Sequence, residues 1–496
     1  MKVRRGAAVY PLWYTFRTVT LNPTAQLLEP EVRELILEGR YSELRSILHE
    51  LPPADVADIL SELTPEQAAL GFRFLPRDDA GLVFSYFSPE FQEELLAKLG
   101  AEAAVNVVEA MSPDDRVRLL DELPPEVAQR LIASLSPENR RETQAILGYP
   151  ARSVGRLMTP DYLTVRPEWT AGRALDHVRR HGRDAETINV LYVVDVQGKL
   201  IDDLRLRQVL LAPPEATIES LMNESFVHLT ADQPQEVAVQ LMSRYDRLAL
   251  PVVDSRGALV GIVTADDVAD VAEQQATEQM QRMGGVQALE EPYISAGIVE
   301  LARKRFTWLA LLFVGGMGTQ LAMEGFESEI EKAAVLSTFV PMIVSGGGNS
   351  GSQATALVIR SLTVGEVTLA DWMRVLKREL LVGLILGAAL GLIGLARIHL
   401  WGLLGWFAKT GADGAVTVES QRVQDSYHLM AVSIGAAVLG VVMWGTITGA
   451  MLPFLLKRIG LDPATSSAPF VATLVDVVGV VIYFTACVGV LRGSLL

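Results

Sequence analysis

The sequence predicts a three-part chain: an all-α helical-repeat superhelix, an α/β tandem repeat, and an α-helical membrane domain with five transmembrane helices. Three observations carry this. A 12-residue repeat with proline in phase runs through residues 51–140, a longer repeat of strand and helix patterns fills 152–273, and long uncharged apolar stretches dominate from about residue 305 onward. At 496 residues the chain is too long for one ordinary domain. Charge follows the same division: of the net −16, residues 1–300 carry −18 and the remainder +2. Half the residues are hydrophobic, and the mean hydropathy of +0.27 is high for a purely soluble protein.

In the first repeat an apolar residue recurs as Leu51, Leu63, Leu75, Phe87, Leu99, Met111, Leu123 and Leu135. Proline stands two places later at Pro53, Pro65, Pro89, Pro113, Pro125 and Pro137, often behind a hydroxyl: Thr64, Ser88, Ser112 and Ser136. A hydroxyl followed by proline is an N-cap followed by the first helical position. Each unit is therefore one short helix and a turn, and such helices bury a core only by stacking. Residues 1–25 read as an N-terminal extension and 26–150 as the helical repeat domain.

In the second repeat Leu157-Met158 returns as Leu221-Met222, and LYVVDVQGKL returns as LPVVDSRGAL, with Asp195 and Gly198 against Asp254 and Gly257. Helical patterns such as AGRALDHVRRH and QEVAVQLMSRY lie between. Strand, turn, strand and helix, twice over, is an α/β pair. Over residues 151–273 it resembles a tandem of CBS domains, the LMTP opening, the VVD-x-x-G hairpin and the GIVTADD ending falling in the right order. Residues 274–304 read as a linking helix, with Gly284-Gly285 as a joint.

The membrane domain, 305–496, contains five stretches of spanning length: Phe306–Met323, Ala333–Ile359, Leu380–Ala396, Ser426–Leu456 and Ser466–Leu491. Arg303, Lys304 and Arg305, then Arg360, Arg374, Lys377 and Arg378, then Lys457 and Arg458 fall on one side, which the positive-inside rule makes cytoplasmic. Lys332, Lys409 and Arg422 lie on the other. The amino terminus is then inside and the carboxyl terminus outside. MKVRRGAAVYPLWYTFRTVTLNP at the start has no apolar core of signal-peptide length, so the front half is expected in the cytoplasm.

Asp476 is the only charge in the last span. A carboxylate inside the bilayer costs about 2.5–3.5 kcal/mol on insertion scales and must face water or a partner. A permeating cation is one partner; a protonated acid bonded to a neighbouring helix is the alternative. The second span reads PMIVSGGGNSGSQ from Pro341 to Gln353. Proline with three consecutive glycines suggests irregular backbone lining a cavity, or close helix packing by small residues.

The Pro341-to-Gln353 stretch and AxxxSAPFVATLVDVVG, Ala464 to Gly479, resemble the MgtE family of magnesium channels, as does the order of parts. The resemblance implies a homodimer with its pore at the subunit interface, two copies of Asp476 facing one Mg²⁺, and the Ala472 carbonyl toward the ion's hydration shell. Asn349, Gly347, Gly348 and Pro341 would line the pore. Ala468 stands where some members carry Asn. The resemblance also implies closure by intracellular Mg²⁺ at Asp246, Asp267, Asp270, Glu278, Asp462 and Asp114, with Gln275 and Gln279 in place of frequent acids. It further suggests ATP at the CBS pair, held by Thr264 and Asp267; Thr264-x-x-Asp267 equally fits a capping box.

The acidic front half lacks the basic footprint that nucleic acid requires and favours a cationic partner: Mg²⁺, with other divalent cations as candidates. Acidity can also serve solubility alone. The lone Cys487 excludes an internal disulfide and CxxC chemistry. No nucleophile with its base and no Walker motif is present, so an enzyme is not expected. Downhill Mg²⁺ uptake across the cytoplasmic membrane is the leading reading. Two rivals are a cation-coupled secondary transporter, which a helix broken at Gly346–Gly348 would suit, and a membrane-anchored CBS sensor.

Overall fold

The computed structural model describes residues 23–496 apart from 224, 290–292, 294–295, 408–417 and 466. Residues 1–22 of the expected extension, Lys409 and Ser466 lie outside the described residues. The chain forms two compact units that divide between Glu273 and Gln274.

The first unit opens with ten helices in succession: α1 Pro23–Glu38, α2 Tyr41–Glu50, α3 Pro53–Ser61, α4 Pro65–Phe72, α5 Arg77–Ser85, α6 Pro89–Leu99, α7 Ala101–Ala110, α8 Pro113–Glu122, α9 Pro125–Ser134 and α10 Pro137–Leu147. Each in-phase proline occupies the first helical position, where its missing N–H is no loss. The Thr64, Ser88 and Ser136 hydroxyls accept the backbone N–H of Gln67, Phe91 and Asn139. Ser112 makes no such cap bond. Helices pack on next-but-one neighbours, α1 on α3, α3 on α5 and α5 on α7. The recurring apolar residues Leu63, Phe87, Leu99, Met111, Leu123 and Leu135 are all buried in one core, and Phe72, Phe84, Phe87 and Phe91 make edge and tilted ring contacts there.

The second part of this unit consists of α11 Val154–Leu157, β1 Thr164–Val165, α12 Ala171–His181, β2 Val190–Val194, β3 Leu200–Arg205, α13 Leu206–Leu211, β4 Leu229–Thr230, α14 Glu236–Tyr245, β5 Ala249–Val253, β6 Leu259–Thr264 and the start of α15 Ala265–Met283. Its two sheets share one topology, β1-β2-β3 and β4-β5-β6, the first pair parallel and the second antiparallel. Registers match across the repeat, Tyr192 opposite Asp203 and Pro251 opposite Ile262. Gly198 and Gly257 each have φ +82°, the left-handed backbone that both hairpin turns need. The opening of the first repeat is spent on the second: Val154 and Gly155 donate to Gln233 and Ala231, and Thr159 bridges Ile262.

The second unit continues with the rest of α15, α16 Ile298–Glu324, α17 Glu327–Lys332, α18 Val340–Thr363, α19 Trp372–Leu403, α20 Val418–Asp425, α21 Tyr427–Arg458 and α22 Ala468–Leu491. Among the described residues four helical stretches are long and apolar enough to cross a membrane: Ile298–Glu324, Leu369–Leu403, Tyr427–Arg458 and Ala468–Leu491. α18 has 24 residues, yet its Ser-Gly-Gly-Gly-Asn-Ser-Gly-Ser-Gln centre keeps it below that measure, so length and composition do not by themselves give five spans. The segment Ala334–Phe339, expected inside the second span, is a separate 3₁₀ turn.

The irregular backbone expected in the second span is absent. α18 is one helix from Val340 to Thr363, with Pro341 in its first turn, so the interruption that would suit a coupled transporter does not occur. Its glycines serve close approach. A Cβ on Gly445 would lie 2.2 Å from the Gly347 carbonyl oxygen, and one on Gly449 would lie 2.1 Å from that of Gly351. Two small-xxx-small stripes therefore let α18 and α21 meet backbone to backbone. Ser350 and Thr446 hydroxyls, 2.7 Å apart, and a Thr355 hydroxyl donating to Gly449 fasten the same crossing.

Candidate functional site

Asp476 is the ninth residue of α22, about 12 Å from its start at helical rise. It is partly exposed, and among the described residues it carries neither a hydrogen bond nor an ion pair. The position of a Cβ on Gly348 would be 3.5 Å from the Ala472 Cβ and 3.9 Å from Asp476 Oδ1. Absence of a side chain at Gly348 is what leaves room beside the carboxylate. Gly347 faces the other way, against Val441 and Val475. Asn349 is exposed, its amide 3.5 Å from the Ser345 hydroxyl one turn back, and Pro341 is exposed at the start of the same helix. Of the six expected pore residues, Asp476, Ala472 and Gly348 come together, Gly347 packs on Val441 and Val475 instead, and Asn349 and Pro341 lie exposed on α18.

A second site is an acidic cleft of about 900 Å³ in the first unit. Asp114, Asp115, Glu122, Glu186, Asp266, Asp267, Asp270 and Glu273 line it, and Arg118 is the one basic side chain among the described lining residues. Arg116, 2% exposed, anchors α8 there by donating to the Val108 and Met111 carbonyls and the Thr143 hydroxyl. That anchor holds Asp114 in a pocket where it is 9% exposed and its Oδ1 has no hydrogen-bond partner among the described residues. Burial, then repulsion from Asp115, raises the Asp114 carboxyl above the usual range. Burial, then repulsion from Asp114, pushes Asp267 up to about 8, against a Thr264 hydroxyl that donates to it at 2.7 Å. Burial and neighbouring acids push Glu186 up to about 7 and Asp161 to about 6.

The cleft is short of positive charge, but no three His, Cys, Asp or Glu among the described residues converge closely enough to ligate an ion directly. Carboxylates spread over such a wall suit a hydrated divalent ion bridged through its waters. Arg118 spans the gap, donating to Asp115 at 2.7 Å and Asp270 at 2.8 Å.

The remaining expected residues fall elsewhere. Glu278 and Asp462 belong to the second unit and meet through Arg282, which pairs with Glu278 at 3.2 Å and with Asp462. Asp246 is exposed and caps the C-terminus of α14 in the left-handed conformation, φ 49°; it does not line the cleft. Thr264 closes β6 and its hydroxyl donates to the Asp267 carboxylate, a side-chain-to-side-chain bond and not the reciprocal side-chain-to-backbone pair of a capping box. At the equivalent point of the first repeat Arg205 N–H donates to the Gln208 side chain, with no hydroxyl in place.

Residues 26–152 match the MgtE intracellular N domain, residues 154–215 and 218–273 the CBS domain, and residues 340–486 MgtE, described as a divalent cation transporter. The magnesium transporter MgtE of Thermus thermophilus is 37% identical over 92% of this chain and 97% of its own length. This chain belongs to the MgtE family. A second MgtE, from Bacillus subtilis, is 29% identical over 91% of this chain and 94% of its own. A crystal structure of the cytosolic domain of the Mg²⁺ channel MgtE in complex with ATP shares 38% identity, covering 49% of this chain and 100% of that one with a TM-score of 0.48. The helical repeat and the CBS pair read from the sequence are thus MgtE components. With four long apolar helices among its described residues the chain is a multi-pass membrane protein of the MgtE family.

Sequence reasoning missed Asp115, Glu122, Glu186, Asp266 and Glu273 as cleft acids and both bridging arginines. Asp115-x-x-Arg118 and Glu278-x-x-x-Arg282 were readable as helical pairs. Glu186 lies in a loop, and nothing local marks it.

Proposed function

We propose that this protein is a Mg²⁺ uptake channel of the cytoplasmic membrane, working as a homodimer in which the two Asp476 carboxylates face one hydrated ion. The observation that carries this reading is a carboxylate in an apolar helix, unpaired among the described residues and beside a glycine that leaves space next to it. Mg²⁺ gives up its water reluctantly and is usually held by one or two carboxylates through retained waters. A site made of carboxylate and backbone carbonyl, with Ala472 one turn from Asp476, can select by size and hydration yet release the ion. The magnesium transporters of Thermus and Bacillus, similar over nearly their whole lengths, support Mg²⁺ as the cargo. Other divalent cations fit the same chemistry.

Residues 1–25 are then an extension, 26–150 and 151–273 the sensing domains, 274–304 the link and 305–496 the pore domain, with the amino terminus inside and the carboxyl terminus outside. Intracellular Mg²⁺ closes the pore by neutralising acids at Asp114, Asp267 and Asp270 in the cleft, at Glu278 and Asp462, and at Asp246. The buried Asp114 Oδ1, without a hydrogen-bond partner among the described residues, supports the cleft as the strongest of these positions. ATP at the second CBS repeat, through Thr264 and Asp267, would compete with the hydrogen bond these two groups make to each other.

The test is Mg²⁺ entry into proteoliposomes, read by a trapped indicator. Asp476→Ala is expected to abolish entry seen with the unaltered protein. Equal entry in both would move the pore away from this carboxylate, and no entry in either would favour an anchored sensor.

A further inference from the structure

Two acidic contacts in this protein already hold a cation of their own. In the first unit the Arg118 guanidinium of α8 donates 2.7 Å to Asp115 and 2.8 Å to Asp270 of α15. In the second unit the Arg282 guanidinium, near the end of α15, donates 3.2 Å to Glu278 and also pairs with Asp462 in the loop before α22. Each arginine spans two carboxylates, and each joins α15 to a segment distant in sequence. A divalent ion would bridge the same carboxylate pairs, and a guanidinium fork satisfies two carboxylates at once in a way a lysine does not.

We propose that Arg118 and Arg282 are built-in counter-ions that hold α15 at both contacts without metal, and so set how much Mg²⁺ closure requires. This rests on the reading of these acids as the Mg²⁺-sensing surface. Burial alone would disfavour the charged Arg118, but Asp115 and Asp270 outweigh it and keep it charged. Neither pair is deeply buried: the Arg118 side chain is 45% exposed and that of Arg282 is 36% exposed. Each latch is therefore weak and salt-sensitive, on the order of a two- to fivefold bias toward the docked state. A bias of that size matters only where docked and released states lie close in free energy, as in a gate. Loss of an arginine has two opposed effects: metal-free docking weakens, and the two carboxylates it bridged gain affinity for Mg²⁺.

The experiment is protease protection of α15 in the full-length protein in detergent, from EDTA to millimolar Mg²⁺, for the unaltered protein, Arg118→Gln, Arg282→Gln and the double variant. In EDTA the unaltered protein should show baseline protection that 0.5 M NaCl removes. Each single variant should lower that baseline about two- to fivefold, and Mg²⁺ should restore the same plateau with a larger amplitude. Arg118→Asp with Asp270→Arg, which swaps the charges, should recover baseline protection and so separates a lost latch from a misfolded variant. Baselines in EDTA equal across all variants, with Mg²⁺ still protective, would overturn the latch and leave sensing standing. Protection that never responds to Mg²⁺ would overturn sensing, and the latch would then be decided by the EDTA baseline alone.

Discussion

Asp114 of α8 and Asp267 at the start of α15 line the same cleft, and Asp114 opposes the charge of Asp267. Asp267 titrates near 8 because burial and Asp114 both oppose its charge, against an ordinary 3.8. Between those two values the folded protein keeps a proton that the unfolded chain releases. Folding then binds protons, so stability falls as pH rises through this window and the penalty is complete above about 8. Glu186, near 7, and Asp161, near 6, act in the same direction. In EDTA the unfolding midpoint of the first unit's transition should be lower at pH 8 than at pH 6, followed by calorimetry on the full chain. Asp267→Asn should flatten that dependence, and saturating Mg²⁺ should offset it. A midpoint that rises with pH would contradict the placement of these carboxylates.

At the element scale the α18–α21 crossing depends on missing side chains. The carbonyls of Gly347 and Gly351 occupy the space where side chains on Gly445 and Gly449 would begin. Gly449→Leu should force the helices apart, at a cost of about 1–3 kcal/mol or more for overpacking, lowering thermal stability in detergent and displacing Gly348 from Asp476. Gly489→Ala is the control, since a Cβ there meets nothing within 4 Å; its melting temperature should match that of the unaltered protein. The helical repeat shows the complementary case. Most of its short helices start at a proline that sequence alone supplies, while α2 and α7 start at Tyr41 and Ala101 without a side-chain cap bond, and none buries a core alone. The core forms between units: Phe72 of α4 meets Phe84 of α5, and helices two apart, such as α5 and α7, pack on each other.

At the scale of the whole molecule, the gating reading makes the cleft acids the sensor for a pore in the other unit. Asp267→Ala with Asp270→Ala should leave Mg²⁺ entry running at internal Mg²⁺ that stops the unaltered channel, measured by whole-cell or liposome flux. Normal closure in the double variant would remove these residues from the sensor. The same variant loses Asp270, the α15 acceptor of Arg118, and keeps Asp115, so its baseline docking should fall even with no metal present.

The sequence by itself determined the helical repeat, the paired α/β units with their hairpin glycines, the apolar helices and Asp476. Each is written in local rules: proline and hydroxyl at a helix start, alternation in a strand, and an acid isolated in an apolar run. It also placed Asp114, Asp267 and Asp270 among the sensor candidates, through a family pattern. Only the tertiary structure decided that the Gly346–Gly348 stretch stays helical, because the backbones it must admit belong to α21, roughly a hundred residues later. Only the structure brought Glu186 and Asp115 to the cleft and set Arg118 and Arg282 between paired acids. Electrostatic partners are fixed by which helices meet, and that meeting is decided by burial of distant apolar faces, which no local pattern records.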